Sequence, residues 1–483
     1  MMKYFLFAKT ANKFLKRGGK LIFAADQGLA LEKDQLQVNP LQYAMLSSGR
    51  IVGLENTGFA TQMIQISEFN ITELLKVAVR SELDGKKVIV DGGIIYEESL
   101  IENKDLKPRS VDLLNDDCVI VTGGYGGIGL EYIEQLLDVN AEVHIAILGR
   151  TDIQAALASK QERTPYEDSK LNKLNKLISK GANLEFYPCD ISHEPDVQTA
   201  ITKIQAKYNI AGIVHLAGVP EEGMLFSKTK DEFKNIIAPK VTGTLLLQKY
   251  VNADKLQFFV TSSSMTTITG SAGQFSYTVA NAFLEGTALS DSLITAIQWP
   301  GWKETGMALN FGDLDAADEH LLMKSVSNME GREYIKLSLH AGDSGFIAGE
   351  FNTSKIEEYL GAYIQLPSGY RDGKSRTNVE GEEEEARPYQ IKDYGSLTVI
   401  GTDRQDDIEK FVTVVFASVL DLNEIDVHKS FTDLGGDSLK AFGIYGPIAE
   451  QFNIDIEVAD VFIYPTIVQL SEYVKELMEE AAA

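Results

Sequence analysis

The stretch Asp117–Gly129, DCVIVTGGYGGIG, decides the fold of this chain. It opens with the apolar run Cys118–Val121, whose β-branched residues suit a strand that is buried on both faces. Glycines and a helical stretch follow, so the order predicts a strand, a glycine turn and a helix. The backbone of such a turn approaches a pyrophosphate closely, and the N-terminus of the helix offers N–H groups to it. A glycine turn alone is equally compatible with an ordinary tight turn.

Three later strands end in residues that suit a bound nucleotide. Val143–Leu148 leads into Arg150, which suits the 2′-phosphate of NADPH, whereas an acidic residue there would bind the 2′-OH of NAD. Leu184–Cys189 leads into Asp190, where we expect a carboxylate to meet adenine, and Gly212–Leu216 leads into Ala217 and Gly218, which are small enough for the cofactor to lie against. Strand–helix units in this order predict a Rossmann-like, doubly wound α/β sheet that binds NADPH. The residues expected to contact the cofactor are Thr122, Gly123, Tyr125, Gly126, Gly127, Ile128, Gly129, Arg150, Asp190, Ile191, Ala217, Gly218, Pro300 and Gly301.

A further strand, Gln257–Thr261, runs into three serines, and Tyr277 and Asn281 follow. Together with the glycine turn, these residues belong to a set of motifs: TGGYGGIG (122–129), LGR (148–150), HLAGV (215–219), APKVTGT (238–244) and TSSSMTTITGSAGQFSYTVANAFLEG (261–286). Over residues 111 to about 310 the chain resembles a short-chain dehydrogenase/reductase. Within that superfamily it resembles the ketoreductase domain of a modular polyketide synthase.

One exchange of residues points to the ketoreductase branch. Short-chain reductases usually carry Tyr-x-x-x-Lys, but here Asn281 stands where the lysine would be. Polyketide ketoreductases resemble this chain in carrying the lysine 24 residues before the serine, which corresponds to Lys240. The resemblance implies that Tyr277 donates the proton, Ser264 binds the substrate carbonyl and Asn281 orders the lysine or a relay water. We expect Lys240 to lower the Tyr277 pKa by about three units, which needs about 4 kcal/mol.

The residues that follow the AGV motif (217–219) predict the stereochemistry of the product. Ketoreductases that give the D-alcohol tend to carry Leu-Asp-Asp there, and this chain has Pro220, Glu221 and Glu222. Both acidic positions are retained, although leucine becomes proline. There is no tryptophan between Met265 and Ser276, which argues against the opposite type. The pattern favours the D-alcohol.

Residues 1–110 alternate between helix and strand signals but lack a glycine fingerprint. The predicted strands are Leu21–Ala25, Arg50–Gly53, Gln62–Ile66 and Lys87–Val90. We therefore predict a degenerate α/β structural subdomain that binds no cofactor, ahead of a catalytic subdomain at residues 111–366.

The end of the chain has a different composition. Residues 367–400, with the run Glu382–Glu385, are predicted to be an acidic linker. From residue 401 to 480 an amphipathic helix pattern, the motif LGGDSL and a last helix resemble an acyl or peptidyl carrier domain, which implies a four-helix fold. By this resemblance Ser438 carries 4′-phosphopantetheine. Residues 401–483 hold 17 acidic and 5 basic side chains, which suits docking on basic surfaces.

The overall charge narrows the possible partners. The 483 residues carry a net charge of −25, which argues against nucleic acid and anionic membranes. Both cysteines, Cys118 and Cys189, lie in apolar runs, which fits reduced thiols in the cytoplasm. We expect no metal site. The resemblance implies as partners a ketosynthase and other polyketide synthase domains, a phosphopantetheinyl transferase and a carrier-bound ketoacyl substrate.

The sequence thus predicts NADPH-dependent reduction of a β-ketoacyl thioester on the Ser438 arm to a β-hydroxyacyl thioester, in polyketide biosynthesis. Two alternatives stay open. The substrate is an α-ketoacyl thioester if the carrier serves a hybrid peptide/polyketide line. The reductase unit is an inactive, NADPH-binding scaffold for the carrier if the catalytic residues do not act.

Overall fold

The structure is a computed structural model. It describes residues 1–14, 18–26, 29–32, 35–56, 59–66, 70–102, 108–153, 157, 163–221, 223–306, 322–352, 355–356, 360–361, 363–366, 392–402, 405–431, 433–434, 438–454, 456 and 460–482.

The first part of the chain builds a small sheet with helices beside it. Its strands, in chain order, are β1 (Gly19–Ala25), the hairpin β2 (Leu29–Glu32) and β3 (Gln35–Val38), then β4 (Phe59–Ile66), β5 (Lys87–Asp91) and β6 (Ile94–Glu97). Among the described residues, the sheet has the order β1-β4-β5-β6, with β6 antiparallel and the other strands parallel. The helices are Met2–Phe14, Pro40–Ser47, Gly49–Leu54 and Ile71–Ala78. We refer to this part as the N-terminal unit.

Two details of the N-terminal unit differ from the sequence prediction. The predicted strand Arg50–Gly53 is wrong, because these residues lie in the helix Gly49–Leu54. Ile51 and Val52 are fully buried, and a short buried apolar run has no periodicity that separates a strand from a helix. The prediction also missed β6, which follows β5 through Gly92 and Gly93, both with positive φ (55° and 79°). Two such residues are the requirement of a tight type I′ hairpin turn.

The second sheet confirms the predicted Rossmann-like fold. Its strands are β7 (Asp117–Thr122), β8 (His144–Gly149), β9 (Leu184–Pro188), β10 (Asn209–His215), β11 (Phe258–Ser264), β12 (Ile294–Trp299) and β13 (Gly345–Ile347). All seven are parallel, in the order β9-β8-β7-β10-β11-β12-β13. The order reverses between β7 and β10, and ligands of such sheets bind at this switch point, beyond the carboxyl ends of the strands.

Helices cover both faces of this sheet. They are Gly127–Val139, Pro165–Ser179, Glu194–Gln205, Lys230–Tyr250, Thr266–Thr269, Phe275–Ser290 and Asn328–His340. We name Lys230–Tyr250 the lysine helix and Phe275–Ser290 the tyrosine helix. The core residues of β7 are fully buried, with Cys118, Val119, Ile120 and Val121 each 0% exposed.

The N-terminal unit shares a hydrophobic core with these two helices. Phe5 stacks on Phe233 of the lysine helix with ring centroids 4.4 Å apart, and both rings lie against Phe275 of the tyrosine helix. The N-terminal unit is therefore packed against the helices that carry three of the predicted catalytic residues, Lys240, Tyr277 and Asn281.

The end of the chain is helical, as predicted. The helices are Asp407–Val419, Ser438–Phe452, Asp460–Ile463 and Ile467–Ala482, and the short strands β14 (Thr398–Ile400) and β15 (Glu424–Asp426) pair in parallel. Of the predicted linker, residues 367–391 lie outside the described residues, and β14 falls within its last part. Among the described residues, no helix has the length and apolarity needed to cross a membrane, and no group of acidic, cysteine or histidine side chains is arranged to hold a metal ion.

Candidate active site

The glycine turn lies at the switch point of the large sheet. Gly123 has a φ of 68°, and a Cβ at this position would lie 3.1 Å from the Ala217 nitrogen. Only glycine fits both the backbone conformation and this close approach of β7 to the end of β10. Gly126 caps the following helix without a side-chain hydrogen bond, so no capping side chain takes up the N–H groups of the first turn. These groups fit the pyrophosphate of a dinucleotide.

The other predicted cofactor residues lie around this turn. Leu148 pairs with Thr122 in the sheet, and Arg150 follows two residues later as an exposed side chain. Asp190 comes after β9, where its carboxylate accepts from the Ser192 nitrogen at 2.9 Å and so shapes its own turn. Ile191 is buried and packs against the lysine helix. The remaining predicted residues are Tyr125, Gly127, Ile128 and Gly129 in the turn and helix, Ala217 and Gly218 after β10, and Pro300 and Gly301 after β12.

Two basic side chains beside the turn were missed by the sequence analysis. Lys170 Nζ lies 5.1 Å from the centre of the Tyr125 ring, and the charge of Arg163 partly opposes burial, which raises the Tyr125 pKa. Both come from the segment around the helix Pro165–Ser179, outside every motif, so the sequence offered no signal for them.

His215 connects the turn to the lysine helix and was also missed. The Thr122 hydroxyl accepts from the nitrogens of Leu216 and Ala217, both at 3.2 Å, which leaves its own hydrogen for His215 Nδ1 at 2.6 Å. His215 Nε2 then donates to the carbonyl of Pro239 at 3.1 Å. Burial, with the neighbouring Lys240, lowers the His215 pKa to about 3, so this ring is neutral. Its position at the end of β10, within HLAGV, was the available signal.

The four predicted catalytic residues come together at the carboxyl end of the sheet. Ser264 is the last residue of β11, and Tyr277 and Asn281 lie one turn apart on the tyrosine helix. Lys240 Nζ lies 5.8 Å from the centre of the Tyr277 ring and donates to the carbonyl of Ser262. The Ser264 and Asn281 side chains both stabilise the Tyr277 phenolate. Residues far apart in the chain thus form one polar group beside the switch point.

The pKa values of the tyrosine and the lysine differ from the prediction. Burial raises the Tyr277 pKa, and the Ser264 and Asn281 side chains oppose this only in part. Burial also lowers the Lys240 pKa to about 7. The expected lowering of the Tyr277 pKa by Lys240 is therefore wrong for this structure, because the ammonium is directed at the Ser262 carbonyl and is only partly charged near neutral pH. Tyr277 is protonated at neutral pH, which is the form a proton donor needs.

Asn281 is fixed within its own helix. Its Nδ2 donates to the Tyr277 carbonyl at 2.8 Å, and its Oδ1 is buried without a hydrogen-bond partner in the described structure. A second buried group, Glu285, lies further along the same helix and accepts from the Ser263 hydroxyl at 2.5 Å. Burial raises the Glu285 pKa to about 7, and its charge raises that of Lys240. The sequence analysis missed Glu285, although its spacing from Tyr277 places it on the same side of the helix.

Comparison with known proteins agrees with this geometry. A model of the KR domain family matches residues 118–330, and a model of the phosphopantetheine attachment site family matches residues 410–474. The chain contains a KR domain followed by a phosphopantetheine attachment domain, and this order matches the ketoreductase–carrier segment of a polyketide synthase.

The relatives are much longer than this chain. Polyketide synthase PksN of Bacillus subtilis (strain 168) is 25% identical over 447 residues, which cover 88% of this chain and 8% of PksN. The 6-methylsalicylic acid synthase of Aspergillus terreus (strain NIH 2624 / FGSC A1156) is 26% identical over 383 residues, or 75% of this chain and 20% of that protein. The crystal structure of a ketoreductase domain from the bacillaene assembly line shares the fold, with a TM-score of 0.60 and 21% identity, and the match covers 74% of this chain and 84% of that one.

A buried acidic side chain of the ketoreductase, Glu221, lies against the backbone of Tyr277. Glu221 accepts from the Tyr277 nitrogen at 2.5 Å, and its other oxygen lies 3.2 Å from Lys228 Nζ. Both side chains are almost completely buried, at 0% and 5% exposure. Glu222, the second acidic residue in the stereochemical prediction, lies outside the described residues.

The carrier contacts the ketoreductase beside this site. Met224 and Ala272 belong to the same buried cluster as Phe416, Ile444 and the other core residues of the carrier. Ser438 opens the helix Ser438–Phe452, as the attachment motif predicts, whereas residues 435–437 of the motif lie outside the described residues.

Proposed function

We propose that this segment reduces a β-ketoacyl thioester, held on the phosphopantetheine arm of its carrier, to a β-hydroxyacyl thioester with NADPH, in polyketide biosynthesis in the cytoplasm. The convergence of Lys240, Ser264, Tyr277 and Asn281 beside the glycine turn carries this proposal. The ketosynthase, the other synthase domains and the phosphopantetheinyl transferase are the partners that such a reaction requires.

The residues around the switch point fit the cofactor. The turn from Gly123 and the first N–H groups of the helix Gly127–Val139 would hold the pyrophosphate, and Arg150 would hold a 2′-phosphate. Ala217 and Gly218 offer a small surface at the end of β10, and Asp190 lies after β9. When bound, the nicotinamide supplies a hydride to the ketone carbon.

Tyr277 donates its proton to the ketone oxygen as the hydride reaches the carbon, so the product is a neutral alcohol. The Ser264 hydroxyl binds the same oxygen and orients the ketone. The phenolate left behind regains a proton from the solvent through Lys240, whose pKa near 7 suits both accepting and releasing one. Asn281 stabilises the phenolate from its own helix.

The carrier presents the substrate at close range. Its buried cluster includes Met224, three residues after the Glu221 that accepts from the Tyr277 nitrogen, and Ala272, five residues before Tyr277. An acyl group on Ser438 is therefore tethered near the site, and the tether supplies an effective concentration of the order of millimolar. Weak binding of the acyl chain is then sufficient for turnover.

The D-alcohol remains our proposal for the product. Glu221 supports it, because the acidic residue after AGV lies against the backbone of Tyr277 and is fixed there by Lys228. Its place beside the proton donor suits a role in setting the face on which the ketone binds.

NADPH oxidation with a β-ketoacyl thioester tests the proposal. Tyr277→Phe should lower kcat by about 10²- to 10⁴-fold, because only the proton donor is lost. Tyr250→Phe is the control, since its hydroxyl contacts Glu194 on the surface. Full activity of Tyr277→Phe would exclude Tyr277 as the donor, and NADPH binding without turnover in the wild type would favour the scaffold.

The carrier assignment has a separate test. A phosphopantetheinyl transferase should add the mass of the arm to the wild type and not to Ser438→Ala. An equal gain in both proteins would place the attachment elsewhere. Loading the arm with β- and α-ketoacyl groups in parallel, followed by chiral analysis of the alcohols, then identifies the substrate class and the stereochemistry.

A further inference from the structure

Glu55 of the N-terminal unit reaches into the ketoreductase. It follows the helix Gly49–Leu54, and only 3% of its surface is exposed. One carboxylate oxygen accepts from the Leu225 nitrogen at 2.6 Å, and the other accepts from the Gly273 nitrogen at 2.9 Å. A single side chain thus joins two segments that lie 170 and 218 residues further along the chain.

Both segments adjoin residues that fix the backbone of the candidate proton donor, and we name them the flanking loops (residues 223–228 and 270–274). The second loop leads directly into the tyrosine helix, and Gly273 lies four residues before Tyr277. The first loop follows Glu221, which accepts from the Tyr277 nitrogen. Met224 and Ala272, one from each loop, also lie in the buried cluster of the carrier. A change in the distance between the loops would therefore move both the backbone that leads to Tyr277 and the two side chains that contact the carrier.

A carboxylate is a costly choice for this position if its role is only to fill space. Burial, against the opposing effect of the two backbone N–H groups, raises the Glu55 pKa to about 7, with smaller contributions from Glu221, which raises it, and Lys228, which lowers it. An apolar residue avoids the cost of burying a charge. A glutamine has one acceptor oxygen and would set its NH2 group against one of the two N–H donors. Only an ionised carboxyl satisfies both loops at once.

We propose that Glu55 is a positioning residue for the ketoreduction: it holds the flanking loops at the spacing that sets the orientation of Tyr277 toward the ketone. The inference rests on the proposed function and adds to it. It gives the N-terminal unit a direct part in the geometry of the site.

The test compares Glu55→Gln and Glu55→Asp with Gln62→Ala. Gln62 is a matched control, because its buried amide donates to the Arg80 carbonyl at 2.7 Å and to Asp84 at 2.8 Å, all within the N-terminal unit. Its loss weakens that unit without touching either loop. The readouts are kcat and KM for a diffusible β-ketoacyl thioester, the diastereomer ratio of the alcohol, and amide hydrogen exchange by mass spectrometry on the full chain.

We expect Glu55→Gln to lower kcat by about tenfold with KM changed less than about twofold, because the donor is misplaced while binding is retained. Exchange should accelerate in both flanking loops, and the diastereomer ratio should fall. Glu55→Asp keeps two acceptor oxygens and should lose less than Glu55→Gln. Gln62→Ala should accelerate exchange in residues 59–66 and 80–84, with kcat and the diastereomer ratio at their wild-type values.

Equal kcat in Glu55→Gln and Gln62→Ala, with exchange in the flanking loops unchanged, would overturn the proposal. If Glu55→Gln fails to fold, Glu55→Asp decides in the same assays, and an unchanged kcat, ratio and loop exchange in that variant would likewise overturn it. Lack of turnover in the wild type would refute the proposed function instead, and the exchange data would still decide whether Glu55 holds the loops.

Discussion

Replacing Lys240 with methionine should make the ketoreductase more stable and less active. Lys240 is 5% exposed, and burial lowers its pKa from 10.5 to about 7. The charged form of Lys240 is therefore less favourable in the folded protein than in the unfolded chain. Methionine has a similar length, fills irregular space well and carries no charge. The cost of burying the ammonium should disappear in Lys240→Met.

The size of this gain depends on pH. A pKa of about 7 instead of 10.5 corresponds to about 5 kcal/mol at 1.36 kcal/mol per pH unit. At pH 6 the lysine is charged in both the folded and the unfolded chain, so the wild type bears the full cost. Between pH 7 and 10.5 only the unfolded chain keeps the proton, so wild-type stability rises with pH. At pH 9 about 2 kcal/mol of the cost remains, which makes the gain about 3 kcal/mol smaller than at pH 6.

The lost hydrogen bond to Ser262 subtracts about 1–3 kcal/mol at either pH. We therefore expect Lys240→Met to be stabilised by about 2–4 kcal/mol at pH 6 and to lie within about 1 kcal/mol of the wild type at pH 9. Reduction of the ketoacyl thioester should fall by about 100-fold, because proton return to Tyr277 is lost.

Urea denaturation followed by tryptophan fluorescence measures the change in the free energy of unfolding, and the signal comes from the large sheet. Both tryptophans of the protein, Trp299 and Trp302, are buried in the core of the large sheet. Lys249→Met is the control, since Lys249 lies on the same helix but is exposed and paired with Glu194. An equal change in stability at pH 6 and pH 9 would show that Lys240 is not desolvated, and the reasoning would fail.

Three further predictions concern the cofactor and the carrier. Gly123→Ala should weaken NADPH binding at least about tenfold in a fluorescence titration, because a Cβ meets Ala217 and the φ of 68° is unfavourable. Arg150→Asp should shift the ratio of kcat/KM from NADPH toward NADH by about 10- to 100-fold, the value of one charge-assisted hydrogen bond. Met224→Ala should slow single-turnover reduction of an acyl group loaded on Ser438 about tenfold, with less than about a twofold change for a diffusible thioester, because the side chain in the carrier's buried cluster is lost while the loop backbone that Glu55 holds is kept.

The large sheet could be predicted from the sequence because the patterns that indicate its strands and turns lie within short segments of the chain. The run Cys118–Val121 is fully buried, as a central parallel strand must be, and the glycine turn follows it without interruption. The spacing of Ser264, Tyr277 and Asn281 fixes them to the end of a strand and one side of a helix. Lys240 could be identified only through the resemblance to polyketide ketoreductases, since nothing in its local sequence distinguishes it from a solvated lysine.

What could not be predicted depends on contacts between distant parts of the chain. Glu55 and Leu225 are 170 residues apart, and His215 acts on the lysine helix through Pro239. The predicted pKa values were wrong because burial has the largest effect on both Tyr277 and Lys240, and spacing along the chain does not show burial. Residue type and spacing did not show that the Lys240 ammonium donates to the Ser262 carbonyl rather than to the Tyr277 hydroxyl.

The flanking loops are where the three parts of the chain meet. Glu55 fixes them from the N-terminal unit, Glu221 connects the first of them to the Tyr277 backbone, and the carrier packs on Met224 and Ala272. A carrier that presses on these loops therefore acts on the same backbone that places the proton donor. In its proposed role, Glu55 holds these loops at one spacing, so that the donor keeps its orientation as the carrier docks and leaves. The N-terminal unit then has a physical reason to remain joined to the ketoreductase: it supplies the fixed end of that connection.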